Sequence, residues 1–492
     1  EQYNDAKEFL EKAMKDYGVT IDNLTLTGHS LGGILTQQVG ATYGIKGYAF
    51  NPYGTDRLLS LPSSLSTGIA SNILLEKVMS AVGLTKANAQ WAYEHIYNIS
   101  YQDEGALNGD ILSNLLTELS SNHLGHFIPI LGENVGFKEG HLMETLNKAI
   151  SQYNNIVKKF DNSCRYEDIT QMYLSTAIIH GKGYERVQKE LTKIGISSAT
   201  DNSLHLNVIT PTSSVTSIFS GSNLSTPALY ALVNLNPFIV SGVNSNAYAE
   251  LEQYKAEYSE NYVSDKAKMF KALMDTPKVG SYYDDYETGK KISYYTSVTD
   301  PDSTDEYNLT DTAYTFGTNK NDIVTASVGK ANRIYTLAGD DTITLTSGSN
   351  YIEAGSGNDT IDLSGITDKN STNIIYADLK DSDDKDSGND IIIGSAGKDT
   401  MYGGSGYDTY KAGDGDTIED DDKGQGVVVF NGVHLTGGTY DKDKGCYVGG
   451  IYEYHLNGKT LIVKDTTKDE SITINNYHKD KKSLGIDLIK AD

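Results

Sequence analysis

The sequence predicts an α/β sheet domain over residues 1 to 155, a mixed helical region over 156 to 305, a parallel β-roll over 306 to 420 and a β-rich tail over 421 to 492. Three observations carry this reading. Helical and strand patterns alternate through the first 155 residues, as they do where helices pack on a sheet. Near residue 306 the composition turns to Gly, Asp, Asn and Thr. Inside that stretch Asp390, Asp399 and Asp408 recur nine apart, and Asp341 and Asp359 stand eighteen apart, a period typical of stacked turns.

Size and charge narrow the function. A chain of 492 residues exceeds the ~250 to 300 at which one core stops growing, so several units are expected. With 41 basic against 66 acidic residues the net charge is −25, which repels a phosphate backbone and excludes nucleic acid as a partner. A cation suits the balance better. Two distant cysteines, Cys164 and Cys446, give no disulfide framework. No apolar run reaches the ~18 residues of a membrane-crossing helix.

The segment EQYNDAKEFLEKAMKDYG reads as an amphipathic helix. After it, LTLTGHSLGG places Leu24 and Leu26 on a short strand and Ile34, Leu35 and Val39 on the helix that follows. Between them Gly28, His29, Ser30, Leu31 and Gly32 make G-x-S-x-G, the sharp strand-to-helix turn that lifts a serine hydroxyl above a sheet. The two glycines let neighbouring backbone pass close to that turn, and His29 supports it. Sheets built around such an elbow carry strands ahead of it that 23 residues cannot supply, so this sheet is expected to be N-terminally incomplete from Glu1 onward.

Further strands are read at IKGYAFNPYG and at Ile96 to Tyr101. Ile69, Ile73, Leu74, Val78 and Val82 form a helical stripe between them, either core or an apolar flap for a lipid surface. The region 156 to 305 announces no chemistry, and His180 and His205 read as packing or surface residues.

In the repeats, GSAGKDTM and GGSGYDTY follow G-G-x-G-x-D-x-U with U apolar, and AGSGNDTI, TLAGDDTI and GTNKNDIV are degraded copies. Gly339, Gly355, Gly357, Gly397, Gly404 and Gly406 let the backbone curl so that its carbonyls point inward. Asp322, Asp341, Asp359, Asp390, Asp399 and Asp408 then close sites for Ca2+, a hard cation that takes ~6 to 8 oxygens, more than one turn offers. Ile343, Ile361, Ile392, Met401 and Tyr410 fill the interior as U. A 31-residue gap between Asp359 and Asp390 interrupts the array.

These motifs carry a resemblance. Residues 1 to 155 resemble the C-terminal half of a class 3-type α/β-hydrolase lipase, and 317 to 420 resemble the repeats-in-toxin (RTX) calcium roll. The tail, with GVVVFNGVHL, YEYHLNGKTLIVKD and SITINNYHKDKKSLGIDL, is similar to the β-rich segment after such repeats in secreted RTX lipases and haemolysin-like proteins; YALVNLNPFIV and VSDKAKMF resemble their connecting region. The resemblance implies export from a Gram-negative bacterium by a type I secretion apparatus, with the signal in 421 to 492. It also implies several structural calcium ions and hydrolysis of triacylglycerol or phospholipid esters at a lipid surface.

An elbow serine needs a base and an acid, which α/β-hydrolases supply in the order Ser, Asp or Glu, His. Asp103, Glu104 and Asp110 follow the strand 96 to 101; Asp110, in NGDILS, is similar to the family's turn, while Asp103 sits nearer the strand end. His123, His126 and His141 come next. His141 precedes a helix marked by Leu142, Leu146 and Ile150, whereas His123 and His126 lead into a strand. The implied triad is Ser30, Asp110 and His141, with the Leu31 N–H as one oxyanion donor and a second from an upstream loop. Two other readings stand beside it: a short-chain esterase, and an RTX adhesin or surface protein with an inert hydrolase domain.

Overall fold

A computed structural model describes residues 2–50, 91–92, 94–103, 126–133, 143–220, 224–275, 282–293, 312–325, 331–379, 387–419 and 425–491. The chain folds as two compact units, one of Glu1–Ser213 with Asn236–Ala247, the other of Ser214–Leu235 with Tyr248–Asp492. The stretch 156 to 305 is thus divided between the units and does not stand as a region of its own.

In the first unit, helix α1 (Gln2–Tyr17) precedes strand β1 (Leu26–His29), helix α2 (Leu31–Tyr43) and strand β2 (Gly47–Phe50). Leu10 of α1 packs with Val39 of α2 and with Ile45, the apolar stripe that made α1 legible. Helix α2 ends at Gly44, whose φ of 68° is a left-handed cap that glycine adopts without penalty. Strands β3 (Ile96–Asp103) and β4 (His126–Gly132) complete a four-stranded sheet in the order β1-β2-β3-β4, every pair parallel. Beyond β4, helices α3 (Met143–Val157) and α4 (Tyr166–His180) take up polar groups of its edge. The Leu131 N–H donates to the Tyr153 hydroxyl at 2.9 Å and the Pro129 carbonyl accepts from the Thr170 hydroxyl at 2.8 Å. Proline fits there because an edge strand can forgo a ladder donor.

The second unit holds the roll. Parallel strands Ile323–Val324, Thr342–Thr344, Thr360–Asp362, Ile391–Ile393, Asp408–Ala412 and Gly426–Phe430 form one sheet. Alternating with them in sequence, Thr312–Phe316, Ala331–Tyr335, Ser349–Glu353, Thr372–Tyr376, Lys398–Tyr402 and Thr417–Glu419 form another. Ile343, Ile361, Ile392, Met401 and Tyr410 are all buried in the core that these strands share with Ile334, Ile352, Ile375 and Ile418. The tail continues the second sheet: its antiparallel hairpins lead to the strand Glu470–Asn475, where Thr473 pairs in parallel with Thr417. Helix α5 (Glu260–Met274) lies on that sheet: Asp265 accepts from the Tyr335 hydroxyl and from Arg333, both at 2.5 Å. Among the described residues no helix is long and apolar enough to cross a membrane.

Candidate active site and metal centre

Ser30 stands alone between β1 and α2 with φ 57° and ψ −118°. A non-glycine residue in that region costs ~1 to 3 kcal/mol and persists only where its surroundings over-determine it. Here they do. The Ser30 N–H donates to the Phe50 carbonyl on β2 at 3.1 Å, and its carbonyl accepts from the Gly33 N–H at 3.0 Å. Gly28 is required sterically, because a Cβ there would stand 2.2 Å from the Gly32 carbonyl oxygen and 2.7 Å from the Thr36 hydroxyl. Gly32 differs from expectation: among the described residues nothing lies within 4 Å of an added Cβ, so only the first motif glycine is demanded by close approach.

Leu31 is the first residue of α2 and Asp103 the last of β3. Asp110, His141, Glu104, His123 and the stripe from Ile69 to Val82 lie outside the described residues. His126 opens β4, its ring edge-on to Tyr97 and its Nε2 3.4 Å from Glu167.

The aspartates of the repeats form a column. The Asp322 N–H donates to Asp341 Oδ1, Asp341 N–H to Asp359 Oδ1 and Asp359 N–H to Asp390 Oδ1, each at 2.7 Å. The Asp390 N–H continues it to Asp408 Oδ1 at 2.9 Å. Asp341, Asp359 and Asp390 are each about 1% exposed, and the second oxygen, Oδ2, of each has no donor. Burial is the first cause that pushes these carboxyls up, to about 7 for Asp341, about 9 for Asp359 and about 8 for Asp390; neighbouring aspartates add to it. Buried carboxylate oxygens left over in a column are what a divalent cation satisfies.

The glycines bring the turns together. A Cβ on Gly355 would meet the Leu337 carbonyl oxygen at 1.9 Å, one on Gly357 the Gly339 oxygen at 1.9 Å, and one on Gly406 the Gly388 oxygen at 1.5 Å. Gly404 abuts Asp378 and Gly397 abuts Ser371 in the same way. The donor set therefore fits calcium: carboxylates from the column and carbonyls from tightly stacked turns, all hard oxygen.

A second column differs in kind. Asn332 Nδ2 donates to Asn350 Oδ1 at 2.6 Å, Asn350 Nδ2 to Asn373 Oδ1 at 2.8 Å, and Asn373 Nδ2 to Asp399 Oδ1 at 2.5 Å. The Asp399 N–H then donates to Asp416 Oδ1 at 2.9 Å. An amide carries both donor and acceptor, so stacked asparagines satisfy one another, which stacked carboxylates cannot do. Asp399, grouped by spacing with the cation ligands, belongs to this column, and donors reach both of its oxygens: Ser395 N–H at 2.5 Å on Oδ2, Asn373 and the Ser395 hydroxyl on Oδ1.

Spacing missed Asp378 and Asp416. Asp416, pushed up to about 8 by burial and then by Asp399, ends the second column; Asp378 is 4% exposed and accepts from the Ser405 N–H at 2.7 Å. Asp378 sits inside the interruption, where no period exists to find it. The asparagine column carried a signal, since Asn332 and Asn350 are eighteen apart like Asp341 and Asp359.

The family model of the RTX calcium-binding nonapeptide repeat matches in four copies, over residues 328–361 and 386–418. The chain therefore carries RTX repeats, which bind calcium as structural ions. Such repeats are characteristic of secreted, extracellular proteins exported by type I systems. No curated protein matches the chain.

Proposed function

We propose that the protein is a secreted, calcium-binding RTX serine hydrolase that cleaves lipid carboxylic esters, of the triacylglycerol lipase or phospholipase A type, through an acyl-enzyme. The observation that carries this is the backbone of Ser30, a non-glycine residue at φ 57° and ψ −118° where a parallel strand turns into a helix. Strain at that point is the mark of a nucleophile elbow. The secreted setting is supported by the repeats.

In this reading Ser30 Oγ attacks the ester carbonyl while His141 takes its proton and Asp110 holds the imidazole in the right tautomer. The Leu31 N–H, at the N-terminus of α2, stabilises the oxyanion. His141 then protonates the leaving alcohol, and water repeats the cycle to release the fatty acid. Calcium in the column through Asp341, Asp359 and Asp390 supplies structure to the roll and takes no part in these steps.

The test is fatty-acid release from micellar phospholipid and triacylglycerol by the full-length secreted protein, alongside Ser30→Ala and with labelling by a fluorophosphonate. Release and labelling lost together in Ser30→Ala support the reading, and a jump in rate at the micelle transition separates a lipase from a short-chain esterase. A folded, calcium-loaded protein that releases nothing and takes no label overturns it in favour of an adhesin.

A further inference from the structure

The tail hairpin gathers a second kind of metal-binding chemistry. Strand Cys446–Gly449 pairs antiparallel with Tyr452–Asn457 in the register Tyr447 with Tyr454 and Val448 with Glu453. One step further sets Cys446 opposite His455. Tyr452 and Tyr454 are buried in the core, so Glu453 and His455, two residues apart, share the other face. One sulfur, one carboxylate oxygen and one imidazole nitrogen, from Cys446, Glu453 and His455, all lie within 4.8 Å of one another.

From this geometry we infer that Cys446, Glu453 and His455 form a site for a zinc-class transition metal, distinct in ligands from the calcium column. Calcium takes oxygen alone, whereas thiolate with imidazole and one carboxylate selects zinc and its neighbours. Around a tetrahedral zinc with bonds of ~2.0 to 2.3 Å, ligand atoms stand ~3.3 to 3.8 Å apart. Glu453 Oε2 and His455 Nε2 are 3.6 Å apart, already at that spacing. Lys444 holds the other Glu453 oxygen, Oε1, at 2.8 Å, which orients the carboxylate and leaves Oε2 turned toward the histidine. The Cys446 side is largely covered, at 2% exposure, while the His455 side chain is 45% exposed and gives an ion its way in. Asp441, paired across from Cys446, turns its Oδ1 to the Asp443 and Lys444 N–H groups at 2.9 and 3.2 Å and is not one of the three groups that converge, which leaves the fourth position open. Three protein ligands with one open position is the arrangement in which zinc keeps a bound water.

The test titrates zinc, then cobalt(II), into calcium-saturated full-length protein carrying Cys164→Ser, so that one thiol remains. One equivalent of zinc and a near-ultraviolet thiolate-to-cobalt charge-transfer band are expected. Cys446→Ser should remove the band, and His455→Ala should weaken zinc by more than the ~10- to 100-fold that loss of an outer partner costs, with the circular dichroism of both variants unchanged. No bound equivalent in the folded protein overturns the site, as does a band that survives Cys446→Ser.

Discussion

Replacing Asp359 by asparagine should have opposite effects with and without calcium. Asparagine keeps an oxygen for the Asp341 N–H, now accepting at 2.7 Å, and removes the charge and the donorless Oδ2. With calcium, residue 359 borders two gaps, toward Asp341 and toward Asp390. An ion held at 100 times its Kd adds ~2.7 kcal/mol, so losing two removes ~5 kcal/mol. In a unit of this size that lowers Tm by ~10 to 20 °C. In chelator the sign turns. The native carboxyl is pushed up to about 9 from 3.8, so at neutral pH folding takes up a proton that the unfolded chain has lost. At ~1.4 kcal/mol per pH unit this costs at most ~4 kcal/mol, which the amide relieves. Thermal unfolding by far-ultraviolet circular dichroism, in millimolar calcium and in chelator, reads both arms. A shift of the same sign in both media would refute the column as the cation site.

Other outcomes follow from the same residues. Acidification should order the calcium-free roll. Asp341, Asp359, Asp390 and Asp416 all have raised native pKa values, so their contribution is fully present below about 3.8 and is lost as pH rises toward 7 to 9; circular dichroism in chelator that shows no gain between pH 7 and 4 would contradict this. Asn350→Ala should cost ~1 to 3 kcal/mol equally with and without calcium, because it opens a neutral ladder; a loss seen only in calcium would instead make that column a cation site. Asn373→Asp sets a carboxylate against Asp399 Oδ1, so it should destabilise the chelated protein and add one bound ion in calcium, counted by elemental analysis after dialysis. Ser30→Gly should abolish fluorophosphonate labelling yet raise stability by ~1 kcal/mol, since glycine adopts positive φ freely; a destabilised variant would mean that the Ser30 side chain supports the turn.

The nine-residue period alone determined the stacking of the roll, its buried U residues and the chemistry of its ions. Each turn repeats one local solution, glycine for curl, aspartate for charge and an apolar residue for the core, and local solutions are legible in one dimension. The strand-to-helix turn at Ser30 was legible for the same reason: G-x-S-x-G lies within five residues, between a strand and a helix that patterning already marked. Tertiary structure alone decided what depends on residues far apart in sequence. It divided the stretch 156 to 305 between two units, ran the tail into the roll's sheet through Thr473 and Thr417, and placed Asp378 beside Gly404 across the interruption. It also separated two columns that the spacing had merged, because aspartates nine apart fall on alternate sides of the roll and each stacks on the one a full coil further along, 17 to 31 residues away. One column stacks carboxylates with oxygens left over, the other mainly amides that satisfy themselves, and only the pairing of turns reveals which aspartates share a column.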